Sequence, residues 1–438
     1  MPEPQTADRP TGAYGTTAPF LAKAPPLSIP MRHFAAAAVA FATFAAAFAW
    51  GAFGHRLAGA QFQDRFALGL VHTLTLGWIT MTLFGAMTQL APVLWETSLV
   101  AEKAVKAAWW LFMIGIIGFV GRLWTGGEYF WPAVPVASAF VLYLYSFLRT
   151  MASARQIDWT GKHLALSVGY LVVLATLGLI LAYDGPQGRL LDDPETMLVA
   201  HVHLALIGWV SLAIMGVSYR LVAMFTLSHL ESKTPGRLAL ALVNIGLIGL
   251  TVDCLAFGRR WMPLWAVILA CGYAAYAYQV RRIFSARNRK IDPALAYTIL
   301  AMIGGAVWAA LGLSLAFGWL PNESDVRAAY VFCILVGWIT PFILGQIHKI
   351  VPFLVWLHVY SKGWKPPARL PKMEELTFRP LIWAELTAFA PGVYCGIGGF
   401  LTESNPLLEA SAALILGAAV LYLANLGITV RHMVMKES

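Results

Sequence analysis

The stretch VHTLTLGWITMTLFGAMTQLAPVL, residues 71–94, has no Asp, Glu, Lys or Arg and is long enough to cross a bilayer as a helix. Of the 438 residues, 59% are hydrophobic and 12% are charged, about half the charged share of a typical soluble domain. The chain therefore reads as an all-α, polytopic membrane protein with twelve transmembrane helices. The predicted spans begin near Met31, Phe66, Val105, Tyr129, His163, Glu195, Arg237, Met262, Ala294, Ala328, Arg379 and Pro406.

The opening stretch is repeated twice further along the chain. VHLALIGWVSLAIMGVSYRLVAMF (residues 202–225) and VFCILVGWITPFILGQIHKIVPFL (residues 331–354) align with it without a gap. Each copy carries Gly-Trp, six residues and another Gly, and the first glycines, Gly77, Gly208 and Gly337, are 131 and 129 residues apart. The motif helices fall near residues 66–95, 195–226 and 328–357, which are spans two, six and ten. This spacing predicts three pseudo-symmetric four-helix units.

The ends and connections predict how the chain lies in the membrane. Residues 1–30 are polar and rich in Pro, Thr and Ala, so we expect a disordered cytoplasmic tail before a single transmembrane domain of residues 31–438. Lys and Arg concentrate in one set of alternate connections, which places both termini in the cytoplasm and the protein in the cell (inner) membrane. The net charge of +9 then belongs to a membrane-facing inner surface that contacts lipid, and no nucleic-acid partner is expected.

Two repeat-related histidines are the first candidate ligands. His72 and His203 each lie five residues before their Gly-Trp, whereas the third copy has Phe332 at that position. A histidine near the start of a span usually has a partner. Because the repeat relates the two positions, their rings could meet from neighbouring helices at similar depth and hold a metal, such as a haem iron. The alternative is two buried histidines satisfied by hydrogen bonds.

His201 constrains this picture. Residues two apart on a helix point about 200° from each other, so His201 and His203 cannot bind one metal together. Either they serve two centres on opposite faces of span six, or His201 bonds a backbone carbonyl or a polar neighbour.

With these features the chain resembles subunit I of the haem-copper oxidase superfamily, most closely the C-type oxidases and the nitric oxide reductases. The resemblance rests on twelve helices, cytoplasmic termini, a His in span two, and His-Val-His before Gly-Trp in span six. It implies that His72 and His203 are axial ligands of a low-spin haem b and that His201 faces a second haem. It also implies electron transfer, or the binding or reduction of a small gas such as nitric oxide or oxygen, with an electron donor at the outer face.

The chain departs from this family in ways that bear on activity. In the oxidases the His-x-His helix is span ten, whereas here it is span six. The chain has no adjacent His-His pair and no His followed four residues later by Tyr. A complete oxygen-reducing haem-copper site is therefore predicted to be absent, and copper is not expected. The chain thus resembles a divergent, stand-alone relative of this family. Whether it is an oxidoreductase stays open.

Charged residues near the predicted outer ends complete the candidate site. Arg259 and Arg260 form an adjacent basic pair that could neutralise haem propionates or contact lipid headgroups. Asp253 could pair with one of them or orient a buried histidine.

Polar residues also occur in the inner halves of the spans. Glu385 in span eleven is a candidate for a proton or cation route, or its side chain reaches the interface. His348 is expected to be an interfacial residue beside Lys349. A polar seam could be formed by Tyr219, Gln89 and Gln346. An alternative function in a different class is a transporter or copper-handling protein that uses the intramembrane histidines.

Overall fold

The computed structural model describes residues 25–60, 64–154, 156–185, 188, 190–228, 233–360 and 371–434. Within these residues the chain forms helices and no β-strand, and twelve helices are long and apolar enough to cross a membrane. This confirms the predicted all-α class with twelve spans. The helices are α1 Ser28–Phe53, α2 Arg65–Leu94, α3 Glu102–Thr125, α4 Phe130–Ala152, α5 Trp159–Asp184, α6 Pro194–Thr226, α7 Thr234–Phe257, α8 Met262–Ser285, α9 Pro293–Ala316, α10 Ser324–Tyr360, α11 Arg379–Leu401 and α12 Asn405–Val434.

Aspartates fix where several helices begin. Asp64, Asp158, Asp193 and Asp292 precede α2, α5, α6 and α9, and each side chain accepts a hydrogen bond from a backbone N–H of the first turn. Such caps satisfy N–H groups that have no partner inside the helix. The polar residue is thereby placed at the end of an otherwise apolar helix, where water or headgroups can solvate it.

The three motif helices share a local distortion. A π-helical stretch follows His72 in α2 (Thr73–Thr80), His203 in α6 (Leu204–Ser211) and Phe332 in α10 (Cys333–Ile339). Each stretch contains the Gly-Trp pair, and the indoles of Trp78, Trp209 and Trp338 are all buried. Wide turns of this kind occur often at functional sites. Here they begin directly after the histidine position of the repeat.

The second glycine of each motif lets another helix approach closely. A Cβ atom on Gly85 would lie 2.7 Å from Cβ of His33, one on Gly216 would lie 2.7 Å from Cβ of His163, and one on Gly345 would lie 2.9 Å from Cβ of Tyr297. The motif therefore serves close helix packing, as small residues do in membrane bundles. The grouping of the helices into three four-helix units stays a prediction.

The centre of the bundle is occupied by α10. Its residues 331–349 are all buried, including Lys349. The predicted disordered tail lies largely outside the described residues, which begin at residue 25, and α1 already includes Ser28. Some residues that set the predicted orientation, such as Arg155 and Lys362, are also outside the described part. Following that predicted orientation, we call the end of the bundle near Glu195 the predicted outer end and the end near Asp292 the predicted inner end.

Candidate functional site: two histidine cavities

Helix α6 separates two apolar cavities. The first has a volume of about 210 Å³ and is lined by residues of α2 to α6 and α10, including His72 and His201. The second has a volume of about 190 Å³ and is lined by residues of α6 to α10, including His203 and Tyr330. We refer to them as the first and the second cavity.

In the first cavity, the backbone of α2 orients His72. The ring Nδ1 donates a hydrogen bond to the carbonyl of Leu68, one turn earlier, at 2.8 Å. Phe119 packs edge-on against the ring at a centroid distance of 5.1 Å. A backbone acceptor on Nδ1 fixes the tautomer and leaves the lone pair on Nε2, as is usual for metal-binding imidazoles. Among the described residues, none forms a hydrogen bond with His72 Nε2.

His201 enters the first cavity from α6. Its Nδ1 is buried without a hydrogen-bond partner in the described part of the chain, and the backbone of Leu174 on α5 lies near the ring. Gly178 of α5 makes room for the ring, because a Cβ atom there would lie 2.9 Å from Cε1 of His201. The ring lies in the wall of the same cavity as that of His72. A buried polar group without partners is costly, by about 1–3 kcal/mol, unless a further group satisfies it.

His203 faces the second cavity in the same way that His72 faces the first. Its Nδ1 donates to the carbonyl of Val199 at 2.8 Å. Its Nε2 is 3.3 Å from the hydroxyl of Tyr330 on α10. Tyr330 follows His201 by 129 residues, the spacing of the last two motif copies. The second cavity therefore has a tyrosine where the first has its second histidine.

Basic side chains line the predicted outer side of the second cavity. Arg259 Nη1 is 3.0 Å and Arg327 Nη1 is 3.4 Å from the same oxygen of Glu195. Of the predicted basic pair, only Arg259 reaches this cavity, while Arg260 is exposed and lies over the ring of Trp261 at 5.5 Å. Arg327 was not among the residues predicted from the sequence, where its one signal is a basic side chain in the first turn of a motif helix.

Asp253 does neither of the things expected of it. Its Oδ2 accepts the backbone N–H of Trp261 at 2.8 Å, and its carbonyl accepts the N–H of Arg259 at 3.1 Å. The side chain of Arg259 pairs with Glu195 and not with Asp253. The two hydrogen bonds of Asp253 hold the connection between α7 and α8, and neither of them orients a histidine.

The cavities group the histidines differently from the expected arrangement. His72 shares its cavity with His201, whereas α6 turns His203 into the other cavity. His203 has the position along α6 that the repeat predicts. The face of α6 that lines the cavity of His72, however, carries His201. Within the described residues no group of three or more His, Cys, Asp or Glu side chains is placed to hold a metal ion.

Near the predicted inner end, His348 lies elsewhere than expected, and Glu385 follows one of its two alternatives. His348 is buried and bonds to Glu385, so it is not an interfacial residue, and Glu385 points into the bundle and does not reach the interface. The predicted polar seam is also not formed by direct hydrogen bonds in the described part of the chain. Tyr219 packs against His163 and Tyr276, and Gln346 bonds to Thr298 at 3.4 Å.

Comparison with known proteins gives one partial match. No family model matches the chain. A cytochrome c oxidase subunit 1 homolog from Azorhizobium caulinodans is 27% identical over 121 residues. This segment is 27% of the chain and 20% of that protein, so the chain aligns with about a fifth of its relative's length. The similarity is partial, and it agrees with the family that the histidine and Gly-Trp pattern resembles.

Proposed function

We propose that the chain is a haem b-binding membrane protein related to subunit I of the haem-copper oxidases, which works in electron transfer or in the binding or reduction of a small gas. The observation that carries this proposal is the pair His72 and His201, which reach one apolar cavity from two helices. Each has a ring nitrogen without a hydrogen-bond partner among the described residues.

The donor set of the first cavity fits a haem b. Two neutral imidazoles are the ligands of a low-spin haem iron, and a backbone carbonyl on Nδ1 of His72 directs its Nε2 lone pair away from α2. The wall is aliphatic and aromatic, which suits a porphyrin face, and the close approach at Gly178 accommodates His201. We therefore assign His72 and His201 as the ligand pair and replace the pairing of His72 with His203.

A bound haem supplies one-electron redox chemistry, and the chain supplies its surroundings. His72 and His201 position the group, and the apolar residues of α3, α4 and α5 exclude water from it. With both imidazoles holding a haem, the first cavity would leave no place for a gas to bind, so we assign it to electron transfer.

The second cavity is the place for gas chemistry in this proposal. It offers one imidazole, that of His203, and a phenol, that of Tyr330, in place of a second imidazole. Arg259 and Arg327 would neutralise the propionates of a second haem bound in this cavity, at its predicted outer side. An electron donor would then act at the outer face of the cell membrane, with both termini in the cytoplasm.

The test is the absorption spectrum of the purified protein, oxidised and then reduced with dithionite. We expect the split bands of low-spin b-type haem, lost in His72→Ala and in His201→Ala because six-coordinate iron needs both imidazoles. His203→Ala should keep the low-spin spectrum. His163→Ala is the matched control, since it removes a buried histidine that lies outside both cavities.

One result would overturn the proposal, and another would overturn the ligand pair. A colourless preparation from haem-replete cells that binds copper would favour the transporter or copper-handling class. A low-spin spectrum that survives His201→Ala but disappears in His203→Ala would restore the pairing implied by the family.

A further inference from the structure

A buried polar cluster lies near the predicted inner end, apart from both histidine cavities. Glu385 of α11 is its centre, and its side chain is fully buried. The hydroxyl of Tyr297 on α9 donates to one carboxylate oxygen at 2.8 Å, and Nε2 of His348 on α10 lies 3.0 Å from the other. Glu385 is six residues inside α11, about 9 Å along the helix axis.

The hydrogen bonds select one tautomer of a neutral His348. The side-chain oxygen of Asn425 on α12 accepts the backbone N–H of Phe378 at 2.9 Å. This leaves the amide nitrogen of Asn425 to face Nδ1 of His348 at 3.4 Å, and an N–H group there requires Nδ1 to be the acceptor. The proton of a neutral imidazole must then be on Nε2, where it points at Glu385.

Glu385 in this arrangement is a carboxylate without a balancing cation. Its neighbours on the packed helices are Tyr297, neutral His348, and Tyr422 and Asn425 of α12. The two basic groups that line the small cavity beside His348 are engaged elsewhere, because Lys349 pairs with Asp292 and Arg379 pairs with Glu374. A lone charge in a membrane interior is expensive, and the cheapest way to remove it is to bind a proton.

A small cavity connects this cluster to the predicted inner end. His348 lies in its wall together with Asp292, Lys349, Thr377 and Arg379, and several of these residues are partly exposed. The cavity has a volume of about 20 Å³, which is room for one water molecule. A water molecule there would join surface charges to His348.

From this geometry we infer that Glu385 is a proton-binding site, loaded from the predicted inner end through the cavity and His348. A proton from the solution binds Nδ1 of His348 in place of the Asn425 hydrogen bond, and the proton on Nε2 passes to the carboxylate of Glu385, which leaves the imidazole neutral. No electron moves, and the cluster changes from a net charge of −1 to neutral. The inference does not depend on haem in either histidine cavity.

Infrared difference spectra of the full chain in nanodiscs, recorded as the pH is changed, test the site. We expect a carboxylic-acid C=O band that appears as the pH falls and is lost in Glu385→Gln. Glu409→Gln is the matched control, since Glu409 also pairs with a histidine, His55, at 3.2 Å but at the predicted outer end and partly exposed. A spectrum without any band that depends on Glu385, or a band that does not change with pH, would show that the pair is structural.

Rapid pH changes test the route. Thr377→Trp, which fills the cavity, should slow the appearance of the band several-fold and leave its final size unchanged. His348→Gln should also slow it, because glutamine can donate a hydrogen bond to Glu385 but cannot relay a proton. These two variants keep Glu385 and so remain informative if Glu385→Gln does not fold. Unchanged rates in both would refute access through this cavity.

Discussion

The fit between Gly178 and His201 gives a quantitative test of the first cavity. Gly178 lies on α5, and a Cβ atom added there would be 2.9 Å from Cε1 and 3.5 Å from Nδ1 of His201. Carbon atoms in ordinary van der Waals contact are at least about 3.4 Å apart. The methyl group of Gly178→Ala must therefore move the imidazole by about 0.5 Å. The ring faces the first cavity, so it would move into that space by turning about its side-chain bonds.

The expected cost follows from that displacement. A side chain turned about 30° from its rotamer loses about 0.5–1.5 kcal/mol, and a shift of about 0.5 Å costs at most this amount. If His201 is a haem ligand, its binding to the iron weakens by up to about tenfold. Gly178→Ala should therefore convert part of the low-spin spectrum to a high-spin one, whereas His201→Ala removes the low-spin spectrum completely.

The control lies on the same helix. A Cβ atom on Gly169 would meet nothing within 4 Å, so Gly169→Ala should leave the spectrum unchanged. Both alanines favour the helix by about 0.5–1 kcal/mol, so a difference between them reports on His201 and not on helix stability. An unchanged low-spin spectrum in Gly178→Ala, with a thermal midpoint like that of the control, would refute the assignment of His201.

Three further predictions concern packing, the second cavity and pH. Gly304→Ala would place a Cβ atom 1.9 Å from the backbone oxygen of Gly337. Ordinary overpacking costs about 1–3 kcal/mol of stability, and this contact should cost more, so we expect the thermal midpoint to fall. Gly121→Ala should not lower it, because a Cβ atom there would meet nothing within 4 Å. Arg327→Gln should lower the haem content per chain, measured as the pyridine haemochrome, whereas Arg260→Gln should not, because Arg327 lines the second cavity and Arg260 does not. Burial would raise the pKa of Asp158, but hydrogen bonds from Gly161, Arg220 and Thr160 outweigh it and leave the pKa below its ordinary value. The stability that Asp158 contributes should thus be present above about pH 4 and be lost as the pH falls through the lowered pKa, so thermal midpoints of wild type and Asp158→Asn should converge in acid.

The sequence alone determined the class of the molecule and the positions of its histidines along their helices. Apolar length fixes the twelve spans, because backbone groups in lipid must be satisfied within each helix. The Gly-Trp repeat located α2, α6 and α10, and the prediction for α6 began one residue after its observed start at Pro194. Position along a helix is a one-dimensional property, so a linear pattern can give it.

The tertiary structure decided which histidines share a cavity. His203 is the repeat partner of His72, yet the repeat relates whole cavities, so each of these two histidines lies in its own cavity. The partner of His72 comes from the next motif helix at a position two residues earlier, which is His201. Sequence similarity identifies residues at equivalent positions of the repeat. Such residues lie in different copies of the repeat, so they need not be in contact.

The cluster at Glu385 was likewise hidden from the sequence. Tyr297, His348, Glu385 and Asn425 come from four helices, and no spacing along the chain links them. Hydropathy gave no sign that residues 331–349 of α10 lie at the centre of the bundle, since a lipid-facing helix is as apolar as a central one. Burial in a membrane protein depends on which neighbours surround a helix, and only the packed structure determines those neighbours.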